Sequence, residues 1–159
     1  MSHEISLTKG YVALVDNEDY ERVSRFKWTA TEVGRSVYAY RKIPGDNRKS
    51  QFLHRFITGV TDPKIEVDHK NHNGLDNQRL NLRVTDKTGN VHNARKWSSP
   101  TSSQYKGVSW NKRKQKWHVY IWINSKRKHL GYFDSEEIAA KVYDVAAREL
   151  FGEFACLNS

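Results

Sequence analysis

Apolar positions recur along the chain at spacings that sort it into three segments. In the first, Tyr11, Val12, Ala13, Leu14 and Val15 form an apolar run of strand length. Asp16, Asn17, Glu18 and Asp19 then supply a cap and an acidic first turn. Tyr20, Val23 and Phe26 follow at near-helical spacing, which predicts a short helix. Residues 27–30 and 37–41 read as a hairpin around 32–35, and 44–47 as a turn. Residues 52–57 predict another short helix. In the second segment, 65–69 alternates as a strand, 71–74 has loop chemistry, and 82–84 is a short strand. Thr85 can cap a helix over 86–95.

A Ser/Thr/Pro stretch at 97–104 reads as a linker. The third segment follows with strands at 105–110, 116–123 and 128–133. Asp134, Ser135, Glu136 and Glu137 form a capping box with Glu at the third helical position. Ile138, Val142, Ala146 and Leu150 then recur at helical spacing up to Gly152. In the middle strand Trp117, Val119, Ile121 and Ile123 share one face, and His118, Tyr120 and Trp122 share the other. One helix covers one face of such a sheet and leaves the other open.

Charge changes the picture most. Among 159 residues, 27 are Lys or Arg and 18 Asp or Glu, a net charge of +9. Such an excess points to nucleic acid or an anionic membrane surface. No apolar run is long enough to span a bilayer, so no membrane is expected as partner. The first residues lack the pattern of a signal peptide, and the expected compartment is the cytoplasm. With 37% hydrophobic residues each core must be small, although aromatics reach 12%. The single cysteine, Cys156, excludes an internal disulfide and a multi-cysteine zinc site; it reads as a small buried residue.

The chemistry concentrates in the second segment. Asp68 and His69 end the first strand there; Asn81 and Asn90 follow, with Asn90 on the predicted helix. A carboxylate beside an imidazole, with two amides at later fixed points, suits single-metal hydrolysis of DNA. One group activates water, two hold a divalent cation, and one keeps the base in place. Neutral imidazole accepts a proton near neutral pH. Oxygen donors of the carboxylate and amide kind suit Mg²⁺, with Mn²⁺ as a substitute. His54, His72, Asn71, Asn73 and Asn77 read first as packing or loop residues.

The basic charge is uneven. No Asp or Glu occurs from Lys87 to Phe133, while Lys106, Lys112, Arg113, Lys114, Lys116, Lys126, Arg127 and Lys128 fall in that span. Basic residues beside polar aromatics on an open sheet face suit contact with phosphates and bases.

The stretch from Phe52 to Lys96, carrying Asp68, His69, the run from Leu80 to Thr85 and Asn90, resembles the HNH nuclease family of homing endonucleases. The stretch from Tyr105 to Asn158 resembles the plant ethylene-response-factor (APETALA-type) DNA-binding domain. It does so through Tyr105-Lys106-Gly107-Val108, Trp117, Leu130-Gly131-Tyr132-Phe133, Glu137-Ile138-Ala139-Ala140, Tyr143-Asp144, Ala146-Ala147 and Leu157-Asn158.

The first resemblance implies His69 as general base, Asp68 and Asn90 as metal ligands, and Asn81 as the residue that fixes the loop bearing the base. The second implies DNA contacts at Ser109, Asn111, Tyr120, Trp122, Arg127 and His129, where most of that family's base-reading arginines are replaced. Lys106, Lys112, Arg113, Lys114 and His118 complete the expected DNA-binding set. The expected fold class is α+β: a small antiparallel N-terminal sheet, a ββα-metal nuclease unit, and a C-terminal three-stranded antiparallel sheet packed on one helix. The expected division is 1–60 for a basic N-terminal region, 61–96 for the nuclease unit, 97–104 for the linker and 105–159 for the DNA-binding domain. The implied activity is site-specific, metal-dependent cleavage of double-stranded DNA by a monomer. The alternatives are a DNA-binding regulator that keeps the nuclease fold without cutting, and a structural RNA-binding protein.

Overall fold

Strand β1 (Ser2–Ser6) pairs antiparallel with β2 (Val12–Asp16), and helix α1 (Asn17–Ser24) follows directly. These belong to a computed structural model that describes residues 1–85 and 102–159. Next come β3 (Thr29–Val33), β4 (Ser36–Ile43) and β5 (Asp46–Phe52), a three-stranded antiparallel meander. Helix α2 (Leu53–Thr58) leads into the antiparallel pair β6 (Glu66–His69) and β7 (Leu82–Thr85). The spacing predicts neither β1 nor β5, because each is almost wholly polar. Both are held by backbone pairing with a better-marked neighbour. The helix expected over 86–95, and most of the linker, lie outside the described residues.

The chain divides into two compact units, 1–90 and 91–159. In the first, one core joins Val15 of β2, Val23 of α1, Trp28, Leu53 and Ile57 of α2, Val67 of β6 and Leu82 of β7. The N-terminal region and the Asp68-His69 motif therefore bury their apolar side chains together. The Trp28 indole N–H donates to the Val23 carbonyl at 3.0 Å, which satisfies its one polar group inside that core.

The second unit holds β8 (Val108–Asn111), β9 (Lys116–Ile123) and β10 (Lys126–Phe133) in the order β10-β9-β8, all antiparallel, with α3 (Glu136–Phe151). The alternation in β9 holds: Val119 and Ile121 are buried against the helix, and Trp122 is 55% exposed on the other face. Two details of α3 differ from the sequence reading. Ser135, not Asp134, is the cap: its hydroxyl accepts from the Ile138 N–H at 3.2 Å and donates to Glu137 at 2.6 Å. The buried stripe is Ala139, Ala140, Tyr143 and Ala147, while Ile138 is 54% exposed. Alanines serve there because the helix lies close on the sheet, and the single large ring of Tyr143 fills the remaining space. The packing is close enough that a Cβ at Gly107 would collide with that ring.

Candidate active site and nucleic-acid interface

Register sets the first-unit site. Asp68 pairs with Arg83 and His69 with Leu82 across β6 and β7. Alternation sends the adjacent Asp68 and His69 side chains to opposite faces of β6. The His69 imidazole turns inward and is 4% exposed. It meets Tyr38 of β4 at 5.7 Å and His54 of α2 edge-on at 5.1 Å, centroid to centroid. Its Nε2 lies 3.4 Å from Oδ1 of the fully buried Asn77.

Burial holds the His69 imidazole below its ordinary pKa. The Asn77 contact and the charges of Asp68 and Asp76 oppose this only in part. His54, packed flat on Phe52 at 5.4 Å, is pushed down to about 3 by burial and by the neighbouring charges of His69 and Arg55. Both rings are therefore neutral at neutral pH, the state a general base requires.

Asp68 turns the other way. Its Oδ2 accepts from Arg83 Nη2 at 2.7 Å, and both side chains are largely buried. One carboxylate suits Mg²⁺, which keeps most of its water and takes few protein ligands. An ion there would share Asp68 with Arg83. Asn90, the second expected ligand, lies outside the described residues. The tightest acidic cluster among the described residues, Asp16, Glu18 and Asp19, is already engaged by arginine.

Asn81 spans the loop between the two strands. Its Oδ1 accepts from the Asn71 N–H at 3.0 Å, its Nδ2 donates to the Asp76 carbonyl at 2.7 Å, and its own carbonyl accepts from the Lys70 N–H at 2.9 Å. Every one of these partners is in the loop that follows His69, so Asn81 ties that loop together. Asn71 adds a bond from its Nδ2 to Asp76 at 2.7 Å, and His72 adopts a left-handed turn conformation.

Three further supports were not legible as such. The loop is stitched to β2: the Leu14 N–H donates to the Leu75 carbonyl and the Asn77 N–H to the Leu14 carbonyl, each at 2.8 Å. Gly74 lets it lie directly on β4, since a Cβ there would stand 2.5 Å from the Val37 carbonyl oxygen and 2.6 Å from the Tyr38 ring. Arg79, at the far end, bonds Asp19 of α1 through Nε at 2.8 Å and Nη2 at 2.9 Å. Arg22 binds the same carboxylate at 2.6 Å and the Ile57 carbonyl at 2.7 Å. Asp19 thereby ties α1, the end of α2 and the motif loop together. Burial alone raises its carboxyl, but the bonds from Arg79 and Arg22 outweigh that and hold it below the usual range.

In the second unit the open sheet face carries a ladder of side chains. Trp122 stands opposite Arg127, Tyr120 opposite His129, His118 opposite Tyr132, and Ser109 opposite His118. A bulge between His129 and Gly131 brings both His129 and Tyr132 to this face. Gly131 accommodates it with φ of 145°, where a Cβ would stand 2.9 Å from the Phe133 ring. Arg127 lies 5.1 Å from the Tyr120 ring centre, and Lys114 Nζ 3.9 Å from that of Tyr132. Lys112, Arg113 and Lys114 are exposed in the β8–β9 turn, where Asn111 Oδ1 accepts from the Lys114 N–H at 2.9 Å.

Lys106 precedes β8. It is half-buried beside Cys156, burial lowers its ammonium, and its main chain is clamped by Asn158, whose Oδ1 accepts from it at 2.6 Å. Buried Asp144 in turn accepts from the Asn158 and Ser159 N–H groups at 2.8 and 3.0 Å. Asn158 thereby joins the Lys106 main chain to Asp144. No helix among the described residues is long and apolar enough to cross a membrane.

Comparison with known proteins adds the following. The family described as AP2 domain matches residues 103–153. A protein named as an uncharacterized HNH endonuclease of Acanthamoeba polyphaga mimivirus is 35% identical over 155 residues, covering 94% of this chain and 76% of its own. An APETALA2-like protein of Oryza sativa subsp. japonica is 42% identical over 57 residues, 36% of this chain and 13% of its own length. An AP2-like ethylene-responsive transcription factor of Arabidopsis thaliana is 38% identical over 68 residues, 43% of this chain and 14% of its own. No solved structure matches.

Proposed function

The chain belongs to the HNH endonuclease family and carries an AP2 domain, and on that premise we propose that it is a site-specific endonuclease of the homing type acting on double-stranded DNA. The observation that carries this reading is the seat of His69. It is a neutral imidazole, wedged between Tyr38, His54 and Asn77, at the head of a loop that Asn81 clamps at three points. A base held this way loses little orientation when substrate arrives.

In this reading His69 takes a proton from water as that water attacks the scissile phosphate. The Asn77 amide oxygen favours the tautomer with its proton on Nε2, so Nδ1 is the basic atom. Asp68 and Asn90 would hold a divalent ion, Mg²⁺ by the chemistry of oxygen donors. When bound, it neutralises charge on the phosphate and on the leaving alkoxide. The bond from Arg83 holds the Asp68 carboxylate in one orientation. The AP2 unit docks the duplex through Lys112, Arg113 and Lys114 on phosphates and through Tyr120, Trp122, Arg127 and His129 at the groove.

The Arg83–Asp68 ion pair also favours a second reading, a DNA-binding regulator, since a carboxylate already held by arginine needs no metal. Incubation of the chain with supercoiled plasmid and Mg²⁺ decides between them. Nicked or linear DNA supports the nuclease and also tells one-strand from two-strand cutting. Plasmid left intact while still bound supports the regulator.

A further inference from the structure

The open face of the AP2 sheet holds a pair of imidazoles that DNA docking alone does not explain. His118 Nε2 and His129 Nδ1 lie 2.8 Å apart on neighbouring strands. Tyr132 stacks on His118 at 5.0 Å and lies 4.8 Å from His129, while Tyr120 lies 5.5 Å from His118. A hydrogen bond between two imidazoles needs one N–H and one lone pair. The pair therefore exists as two neutral rings or as one imidazolium bonded to one imidazole; two imidazoliums would break it.

The surroundings are cationic. Lys114 approaches from the β8–β9 turn with Lys112 and Arg113 beside it, and Arg127 from β10. Ser109 and Asn111 of β8 are neutral, and Tyr120 and Tyr132 flank the rings. Lys116 and Asp134, farther along, are paired with each other at 3.1 Å. Helix α3 packs on the opposite face, over Val119 and Ile121. Burial, His129, Arg127 and Lys114 all hold the His118 imidazole below its ordinary pKa. The His118 ring thus sits among cations that a polyanion would offset.

We propose that the His118–His129 pair is a proton-linked phosphate site: as duplex DNA docks, the pair takes one proton from water and the resulting imidazolium donates an N–H to a backbone phosphate. This rests on the reading of the sheet as the DNA-binding surface. A nearby anion repays the repulsion from Lys114 and Arg127, and the imidazole-imidazole bond spreads the new charge over two rings.

The test uses the full chain and a fluorescent mixed-sequence duplex, with chelator to prevent cutting, at constant ionic strength. Fluorescence anisotropy gives Kd from about pH 8 to about pH 6. One linked proton tightens Kd by up to about tenfold per pH unit as pH falls. His118→Gln and His129→Gln should each flatten that slope, and the double variant should flatten it no further, because the two rings share one proton. Titration calorimetry of the wild type in two buffers of different ionisation enthalpy reads proton uptake without any substitution. A pH-independent wild-type Kd, a slope kept in both single variants, or no proton uptake overturns the proposal while leaving DNA binding intact. Absence of binding at low salt at every pH overturns the surface assignment, and this inference with it.

Discussion

Replacing Asp19 by Asn removes a charge where three parts of the first unit meet. Asp19 is wholly buried, whereas the side chains of Arg22 and Arg79 are 41% and 47% exposed. Removing one partner of a buried ion pair costs about 3–5 kcal/mol, because the other charge is stranded. Here the stranded guanidiniums can return to water, so the lower end applies, about 3 kcal/mol. Hydrogen exchange read by mass spectrometry separates the two units. Peptides from β2 and α1 should exchange on the order of 100-fold faster wherever exchange follows opening of the whole unit, at about 1.4 kcal/mol per decade. Peptides from α3 should not change.

A pH arm follows from the same carboxyl. Its folded pKa lies below the unfolded value of about 3.9. Its contribution is therefore complete above that value and is lost as pH falls through the folded one. Wild-type protection in α1 should drop on acidification below about pH 4, and the Asn variant should lack that step. Wild-type exchange in α1 of the variant, or an equal loss in α3, would falsify the role given to Asp19.

Four other outcomes are expected. His69→Ala should lower plasmid cleavage by about 10²–10⁴-fold with DNA affinity nearly unchanged, and excess chelator should stop the wild type; cutting at the normal rate in either case removes this site from the chemistry. Asn81→Leu keeps the branching of the side chain but leaves the Asn71 N–H and the Asp76 carbonyl to water, so we expect a loss of about 1–3 kcal/mol in stability of the first unit and a larger fall in kcat than in KM; an unchanged kcat would mean that the loop holds itself. Gly74→Ala must push the loop off the Val37 backbone, at a cost of about 1–3 kcal/mol, visible as a lower urea midpoint; a midpoint equal to wild type would show that β4 yields. Trp122→Ala should weaken the preferred site more than random duplex, while Lys112→Ala should weaken both alike and reduce the salt slope by roughly one phosphate contact; the reverse pattern would exchange their assignments.

What was legible in the sequence follows from where side chains alone decide structure. Strand β9 could be bounded to the residue, because its alternation puts Val119 and Ile121 inward between polar neighbours. The meaning of Asn81 came from its place in the motif, and its three bonds to the loop agree with a positioning task. Strands β1 and β5 were hidden because backbone partners, not side chains, hold them. The stripe Ile138, Val142, Ala146 and Leu150 is more hydrophobic than the one actually buried, since proximity to the sheet selects alanine there. Asn77 looked like Asn71 and Asn73, and only tertiary placement against His69 sets it apart. Asp19 looked like an ordinary acidic residue of a first helical turn, because its arginine 60 positions away is invisible to local patterning.

The stitch between Leu14 and the loop after His69 bears on how this cutting head could be transplanted. A graft beginning near residue 61 would carry the strand pair but leave behind the β2 backbone that anchors Leu75 and Asn77, the Tyr38 ring under Gly74, and the carboxylate that receives Arg79. An exchangeable cassette then has to include at least the whole first unit, residues 1–90. A chimera built on that cassette can change its address by receiving a different DNA-reading sheet. One built on the short motif would arrive without the scaffold that gives its histidine a direction.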